Sequence, residues 1–169
     1  SSVPAFFAGY QAAIDESLQR LVTTGAGTDL SPVERAMAYT PFAPSKRIRP
    51  VLTLLAAELC GGTATRALPA GAAMELVHTS SLILDDLPAM DNATLRRGQP
   101  ANHLAFGEAI AILAAFGLLN LAYGTLARDY DPPLSARLAA LLDDAVGTNG
   151  LIAGQAADLL ATEQEIGFE

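Results

Sequence analysis

An all-helical fold is predicted by three features of the 169-residue sequence. Hydrophobic residues make up 51% of it and Trp is absent. Ala and Leu, both strong helix formers, dominate, while β-branched residues are sparse. Apolar residues recur at helical steps of three and four. Pro and Gly clusters punctuate the segments between. The length suits one domain, residues 1–169, able to bury about 70% of its unfolded surface.

The elements follow in order. Val3 to Val22 places Phe6, Phe7, Tyr10, Ile14, Leu18 and Leu21 on one face of an amphipathic helix. Thr23 to Leu30 is a Gly/Thr-rich loop. Ser31, Pro32 and Glu34 then open a helix as N-cap, N1 and N3 of a capping box. Thr40 to Pro50 interrupts the pattern, and Pro50 suits the first turn of a helix over Val51 to Leu59, ended by Gly61-Gly62. Leu68 to Leu84 reads as a largely apolar helix with Pro69 in its first turn. Pro88 disfavours helix at Leu87, so this helix should end near Asp85 to Leu87. Ala109 to Ala127 is an uncharged helix, and the turn from Asp129 to Pro133 follows it. Leu134 to Val146 and Leu151 to about Thr162 complete the set, with Gly147 to Gly150 between them.

The net charge of −8 argues against a general nucleic-acid surface, which needs a basic patch. Only ten residues are basic, and five of them fall in two clusters: Lys46, Arg47 and Arg49, then Arg96 and Arg97. That concentration points to a small anionic ligand. The single cysteine, Cys60, excludes an internal disulfide framework and fits a reducing, cytoplasmic compartment. No secretory leader is read at the start of the chain. Ala109 to Ala127 is nearly long enough to span a bilayer. Its Asn120, Thr125, Gly117 and Gly124 lower its hydrophobicity, and no second such segment is read. No membrane span is therefore expected, and a buried central helix fits better.

The stretch with chemistry is Ser80 to Asn102. Asp85, Asp86 and Asp91 fall at the expected end of a helix. A helix C-terminus favours cations, by about 0.3–1 kcal/mol per charge, so gathered carboxylates are unfavourable there. A divalent cation reverses that sign, because Mg²⁺ takes one or two carboxylates with phosphate oxygens completing its shell. Arg96 and Arg97 supply forked donors for further phosphate oxygens. The loop Lys46-Arg47-Ile48-Arg49 leads into a helix N-terminus, which also attracts anions. His78 lies two helical turns before Asp85 on the same face.

Asp85-Asp86-Leu87-Pro88-Ala89-Met90-Asp91, followed by Arg96-Arg97-Gly98-Gln99-Pro100, resembles the first aspartate-rich motif of the trans-isoprenyl diphosphate synthases, of geranylgeranyl or farnesyl type. Lys46, Arg47, Arg49 and Pro50 are similar to that family's Gly-Gly-Lys-Arg-x-Arg-Pro segment, with Pro44 and Ser45 in place of the glycines. Gly150, Gly154, Gln155 and Asp158 resemble its Gly-x-x-x-Gly-Gln-x-x-Asp segment.

The resemblance implies a helical bundle around a deep central cavity and Mg²⁺-dependent 1′-4 condensation of isopentenyl diphosphate with an allylic diphosphate. It implies that Asp85, Asp86 and Asp91 bind the metal, with Arg96 assisting catalysis. Lys46, Arg47, Arg49, His78, Arg96, Arg97 and Gln155 become substrate-binding residues. Ser80 and Ser81, just before the aspartates, become chain-length residues. Both are small, so a geranylgeranyl or farnesyl product is expected. A homodimer or heteromer is implied as the assembly.

The resemblance covers about the N-terminal half of a usual member, without the Lys-Thr segment or the second aspartate-rich motif. A fragment is the expected explanation, and the far wall of the bundle would then leave apolar faces exposed. Leu84 stands for a common His, and Ala93-Thr94 for two acids. Phe116 replaces the acid of Gly-Asp-Ala-Leu-Leu. The competing readings are a regulatory subunit of a heteromeric synthase and a class I terpene cyclase. The Lys46 to Pro50 loop and the Arg96-Arg97 pair argue against the cyclase, which has no second diphosphate to hold.

Overall fold

The computed structural model describes residues 5–23 and 29–163. It is all-α except for one hairpin. The helices are α1 (Ala5–Thr23), α2 (Pro32–Tyr39), α3 (Ile48–Leu59), α4 (Ala64–Asp85), α5 (Asn102–Phe106), α6 (Glu108–Asp129), α7 (Pro132–Val146) and α8 (Leu151–Glu163). Strands β1 (Leu95–Arg96) and β2 (Gln99–Pro100) pair antiparallel between α4 and α5.

α4 is the axis. It packs along α6 on one side and α3 on another, with α1 lying across it. Leu76 and Ile83 of α4 meet Ile14 and Leu18 of α1, Leu54 of α3 and Leu118 of α6 in one buried cluster. Two glycines set how close the helices come. A Cβ on Gly71 would meet Leu54 Cδ1 at 2.6 Å, and one on Gly117 would meet Met37 Sδ at 2.6 Å. α3 therefore seats tightly on α4, and α2 on α6.

Most expected elements are present. In the stripe of α1, Ile14 and Leu18 are buried and Phe7, Tyr10 and Leu21 half-buried, while Val3, the Phe6 side chain and residues 24–28 of the expected loop lie outside the described residues. Both halves of the α2 capping box form: Glu34 N–H donates to Ser31 Oγ at 3.3 Å, and Ser31 N–H donates to the Glu34 carboxylate at 2.7 Å.

Three expectations need correction. α4 begins at Ala64, not Leu68, because Thr63 caps it by accepting from Arg66 N–H at 3.2 Å. Pro69 is thus interior, and the Thr65 carbonyl loses its helical donor. The Tyr130 hydroxyl is inserted beside this flaw, accepting from Ala70 N–H at 3.1 Å and donating to the Arg66 carbonyl at 2.8 Å. Second, among the described residues two helices rather than one, α4 and α6, are long and apolar enough to cross a membrane. They are the central pair of this bundle and pack on each other. Third, the hairpin is unanticipated. Arg97 and Gly98 carry φ of 54° and 82°. Two left-handed residues in a two-residue loop make the primed turn that matches strand twist.

Large apolar side chains remain exposed on several elements, Ile48, Leu52 and Leu59 of α3 among them. Ile112, Leu113 and Phe116 form a stripe along α6, and Leu141, Leu151 and Leu160 lie on α7 and α8.

Candidate active site

The end of α4 organises the site. Asp85 is its last residue and Asp86 its C-cap. The chain then doubles back. Asp91 N–H donates to the Asp85 carbonyl at 2.9 Å, and Ala93 N–H donates to the Asp86 carbonyl at 3.2 Å. Two of the carbonyls that a helix end leaves open are thereby satisfied. Asn92, with φ of 48°, makes the reversal. Asp91 is brought back to the helix end by this loop.

The three aspartates have different surroundings. Asp86 is 1% exposed, and Arg96 grips its carboxylate: Nε reaches Oδ1 at 3.0 Å and Oδ2 at 3.1 Å, and Nη2 also donates to Oδ1. Asp85 is half-buried and faces the cavity, while Asp91 is exposed. Burial pushes the Asp85 carboxyl above its ordinary range, and Asp91 raises it further. Asp86 and Asp158 act the same way, and Arg96 opposes them. The sequence places Asp158 seventy-three residues away, and α8 returns it to within electrostatic range.

Beside Asp85 lies a cavity of about 330 Å³ between α4 and the α7–α8 corner. Arg49, His78, Ser81 and Asp85 form its polar side. Met74, Val77, Leu82, Leu142, Val146 and Leu151 form its apolar side. Arg49 Nη1 donates to His78 Nε2 at 3.3 Å. Burial pushes the His78 imidazole down, and the Arg49 charge adds to this, so the ring is neutral near pH 7 and accepts.

The remaining expected residues are dispersed. Arg97 is half-buried and lies near Glu75, with Nη2 3.8 Å from its carboxylate. Arg47 is 4% exposed and turned inward onto Glu75, Asp15 and the Pro41 carbonyl. Lys46 is exposed, and Gln155 is half-buried on α8. The two serines separate. Ser81 lines the cavity, but Ser80 is buried and donates to the Ala115 carbonyl of α6 at 2.8 Å. Phe116 is 64% exposed on the outer face of α6 and lines none of the cavity.

Among the described residues, no three Asp, Glu, His or Cys groups converge to hold a metal by themselves. The donor set still suits a hard cation that arrives with its anion. Asp85 and Asp91 face one another's charge without a guanidinium clamping either, and such a cation needs only one or two carboxylates beside phosphate oxygens.

A protein-family model described as polyprenyl synthetase matches residues 31–168. The chain belongs to the polyprenyl synthetase family. It is 40% identical to geranylgeranyl pyrophosphate synthase 7, chloroplastic, of Arabidopsis thaliana, over 98% of this chain and 48% of that protein. It is 43% identical to farnesyl diphosphate synthase of Geobacillus stearothermophilus, over 94% of this chain and 54% of that protein. Among solved structures, a geranyltransferase from Legionella pneumophila superposes with a TM-score of 0.89 at 34% identity, covering 97% of this chain and 58% of the other. An FPP/GFPP synthase from Zymomonas mobilis gives 0.86 at 32% identity, covering 99% and 62%. The chain spans about half the length of these curated relatives.

In this polyprenyl synthetase chain the cavity wall from α7 and α8 was not readable as part of a site. Leu142, Val146 and Leu151 look like any core residues, and only tertiary packing gives them a cavity. Glu75 did carry a signal. It is the only acid between Ala64 and Leu84, in a largely apolar helix, and a lone carboxylate there needs a buried partner.

Proposed function

We propose that this chain carries the diphosphate-binding half of a prenyltransferase. The reaction is 1′-4 condensation of isopentenyl diphosphate with an allylic diphosphate, giving a geranylgeranyl or farnesyl product. The observation that carries this reading is the two-sided cavity: Arg49, His78 and Asp85 at its polar side, and an apolar side from Met74, Val77 and Leu142. A molecule with an anionic head and a hydrocarbon tail matches both. Family membership and the relatives' names as geranylgeranyl and farnesyl synthases support it.

Asp85 and Asp91 would hold Mg²⁺ together with the allylic diphosphate. When bound, the metal supplies neutralisation of the charge that develops on the departing diphosphate. Asp86 holds Arg96 beside them through its Nε and Nη2. Arg49, His78 and Lys46 bind the isopentenyl diphosphate, with neutral His78 oriented by Arg49. The apolar wall excludes water from the reacting carbons. Ser81, rather than buried Ser80, is the small residue beside the growing chain.

A second subunit, identical or related, belongs to the proposal and covers the exposed stripe of α6. A relative named as the large subunit of a heterodimeric geranylgeranyl pyrophosphate synthase, 47% identical over 132 residues, supports that assembly. A cytoplasmic location rests on the single exposed thiol, Cys60.

The test is incubation with Mg²⁺, isopentenyl diphosphate and geranyl or farnesyl diphosphate, alone and with a full-length relative. Elongated product that disappears on chelation supports the reading. Cyclised hydrocarbon formed without isopentenyl diphosphate contradicts it.

A further inference from the structure

Glu75 lies on the buried side of α4, 1% exposed, three residues before His78. Its Oε1 accepts from Arg47 Nη1 at 2.7 Å and lies 3.8 Å from Arg97 Nη2. Arg47 also donates through Nε to Asp15 at 2.7 Å and through Nη2 to the Pro41 carbonyl at 2.5 Å. All three nitrogens of the Arg47 guanidinium are thus committed inside the protein. Charge alternates along Asp15, Arg47, Glu75 and Arg97, joining α1, the loop before α3, α4 and the hairpin.

Both arginines hold a left-handed backbone, φ 51° at Arg47 and 54° at Arg97. Side chains with a Cβ hold that conformation only where the surroundings over-determine it, and such residues gather at functional sites. Arg97 takes it in the tight turn of the hairpin, where Nη1 also donates to the Thr40 carbonyl at 3.5 Å, and Arg47 takes it at the N-cap of α3; both side chains converge on the one carboxylate of Glu75. Burial disfavours the Arg97 charge, and Glu75 is the group that supports it. Arg97 in turn sits within electrostatic range of His78 and Arg49.

We infer that Glu75 is a positioning residue: clamped by Arg47, it fixes the Arg97 guanidinium beside Arg49 and His78 so that the three together receive a diphosphate. Arg47 belongs to that strut and leaves the set of groups that touch substrate. The inference rests on the diphosphate-binding reading of the cavity and adds what sets its cations in place.

Inorganic diphosphate without metal is the probe, its affinity for this chain read by calorimetry. Coulomb attraction alone makes removal of a carboxylate beside cations tighten anion binding. Positioning gives the opposite sign. Glu75→Gln should weaken binding about tenfold, the worth of roughly one charge-assisted hydrogen bond. Glu75→Asp keeps the charge, shortens the reach and should weaken binding too, and it is the variant read if Glu75→Gln does not fold. Glu75→Asp combined with Arg97→Lys should bind no worse than the weaker single variant, whereas its effect should multiply with that of Lys46→Gln.

Unchanged or tighter binding in a folded Glu75 variant overturns the inference, as does independence of Glu75 and Arg97. Failure of the unsubstituted chain to bind diphosphate overturns it as well. Elongation activity is read separately. Turnover without coupling between Glu75 and Arg97 sinks the positioning role alone, and coupling without turnover sinks the prenyltransferase reading alone.

Discussion

Asp85 pays a folding penalty for its place. Burial and the neighbouring Asp91 hold its carboxyl above the ordinary range. The folded chain therefore binds this proton more tightly than the unfolded chain, and stability falls as pH rises through the window from the ordinary carboxyl value to the raised one. Asp85→Asn should raise Tm, on the order of 2 °C near pH 7. The same change should weaken Mg²⁺-dependent diphosphate binding by roughly 10–100-fold, the range for a lost charged contact. Calorimetry of both unfolding and binding checks the pair of outcomes. Loss of stability together with unchanged binding would place Asp85 among ordinary surface acids. His78 has the reverse sign. Its depressed pKa means that the unfolded chain takes up the proton first as pH falls. Stability should therefore decline as pH drops below about 6.5. Urea unfolding at successive pH values should show this decline in the unsubstituted chain and a shallower one in His78→Gln.

At the scale of the element, the cap and breaker signals of the sequence were reliable where they acted alone. Ser31, Pro32 and Glu34 specify the start of α2 completely, because both capping bonds are local. Pro69 misled for a physical reason. Its fitness for a first turn is local, but Thr63 offers a better cap one turn earlier, and Tyr130 from sixty residues away repairs the interior flaw. Tyr130→Phe leaves the Ala70 N–H and the Arg66 carbonyl without this bridge, at a cost of about 1 kcal/mol. Denaturant unfolding should show it, and unchanged stability would mean that the helix closes its own ladder there. The hairpin escaped notice because two-residue strands carry too little alternation to read. Only Arg97-Gly98 hinted at it. The aspartate loop was legible as a cluster of charge. Its division into a clamped Asp86 and an available Asp85 and Asp91 was not, because it depends on where the turn aims Arg96.

For the whole molecule, composition and periodicity were enough for the all-α bundle, since α1, α4 and α6 bury faces that recur at helical spacing. They could not assign the outer face of α6, because an apolar stripe reads the same whether it meets a core or a partner. Phe116 stands on that stripe, 64% exposed and away from the cavity. Phe116→Asp should leave stability within about 0.5 kcal/mol, as an exposed substitution does. It should reduce self-association in sedimentation velocity, because it puts a charge in an apolar contact. Association that persists undiminished would move the subunit contact to another face.

On the proposed reading, the end of α4 and the start of α3 form one diphosphate site closed by an apolar wall. A crystal structure with Mg²⁺ and a non-hydrolysable allylic diphosphate tests it most directly. The metal should lie on Asp85 and Asp91, the phosphates within reach of the cavity's cations, and the tail along Met74 and Val77. A ligand seated elsewhere, with Asp85 and Asp91 holding no metal and His78 still on Arg49 alone, would overturn this reading.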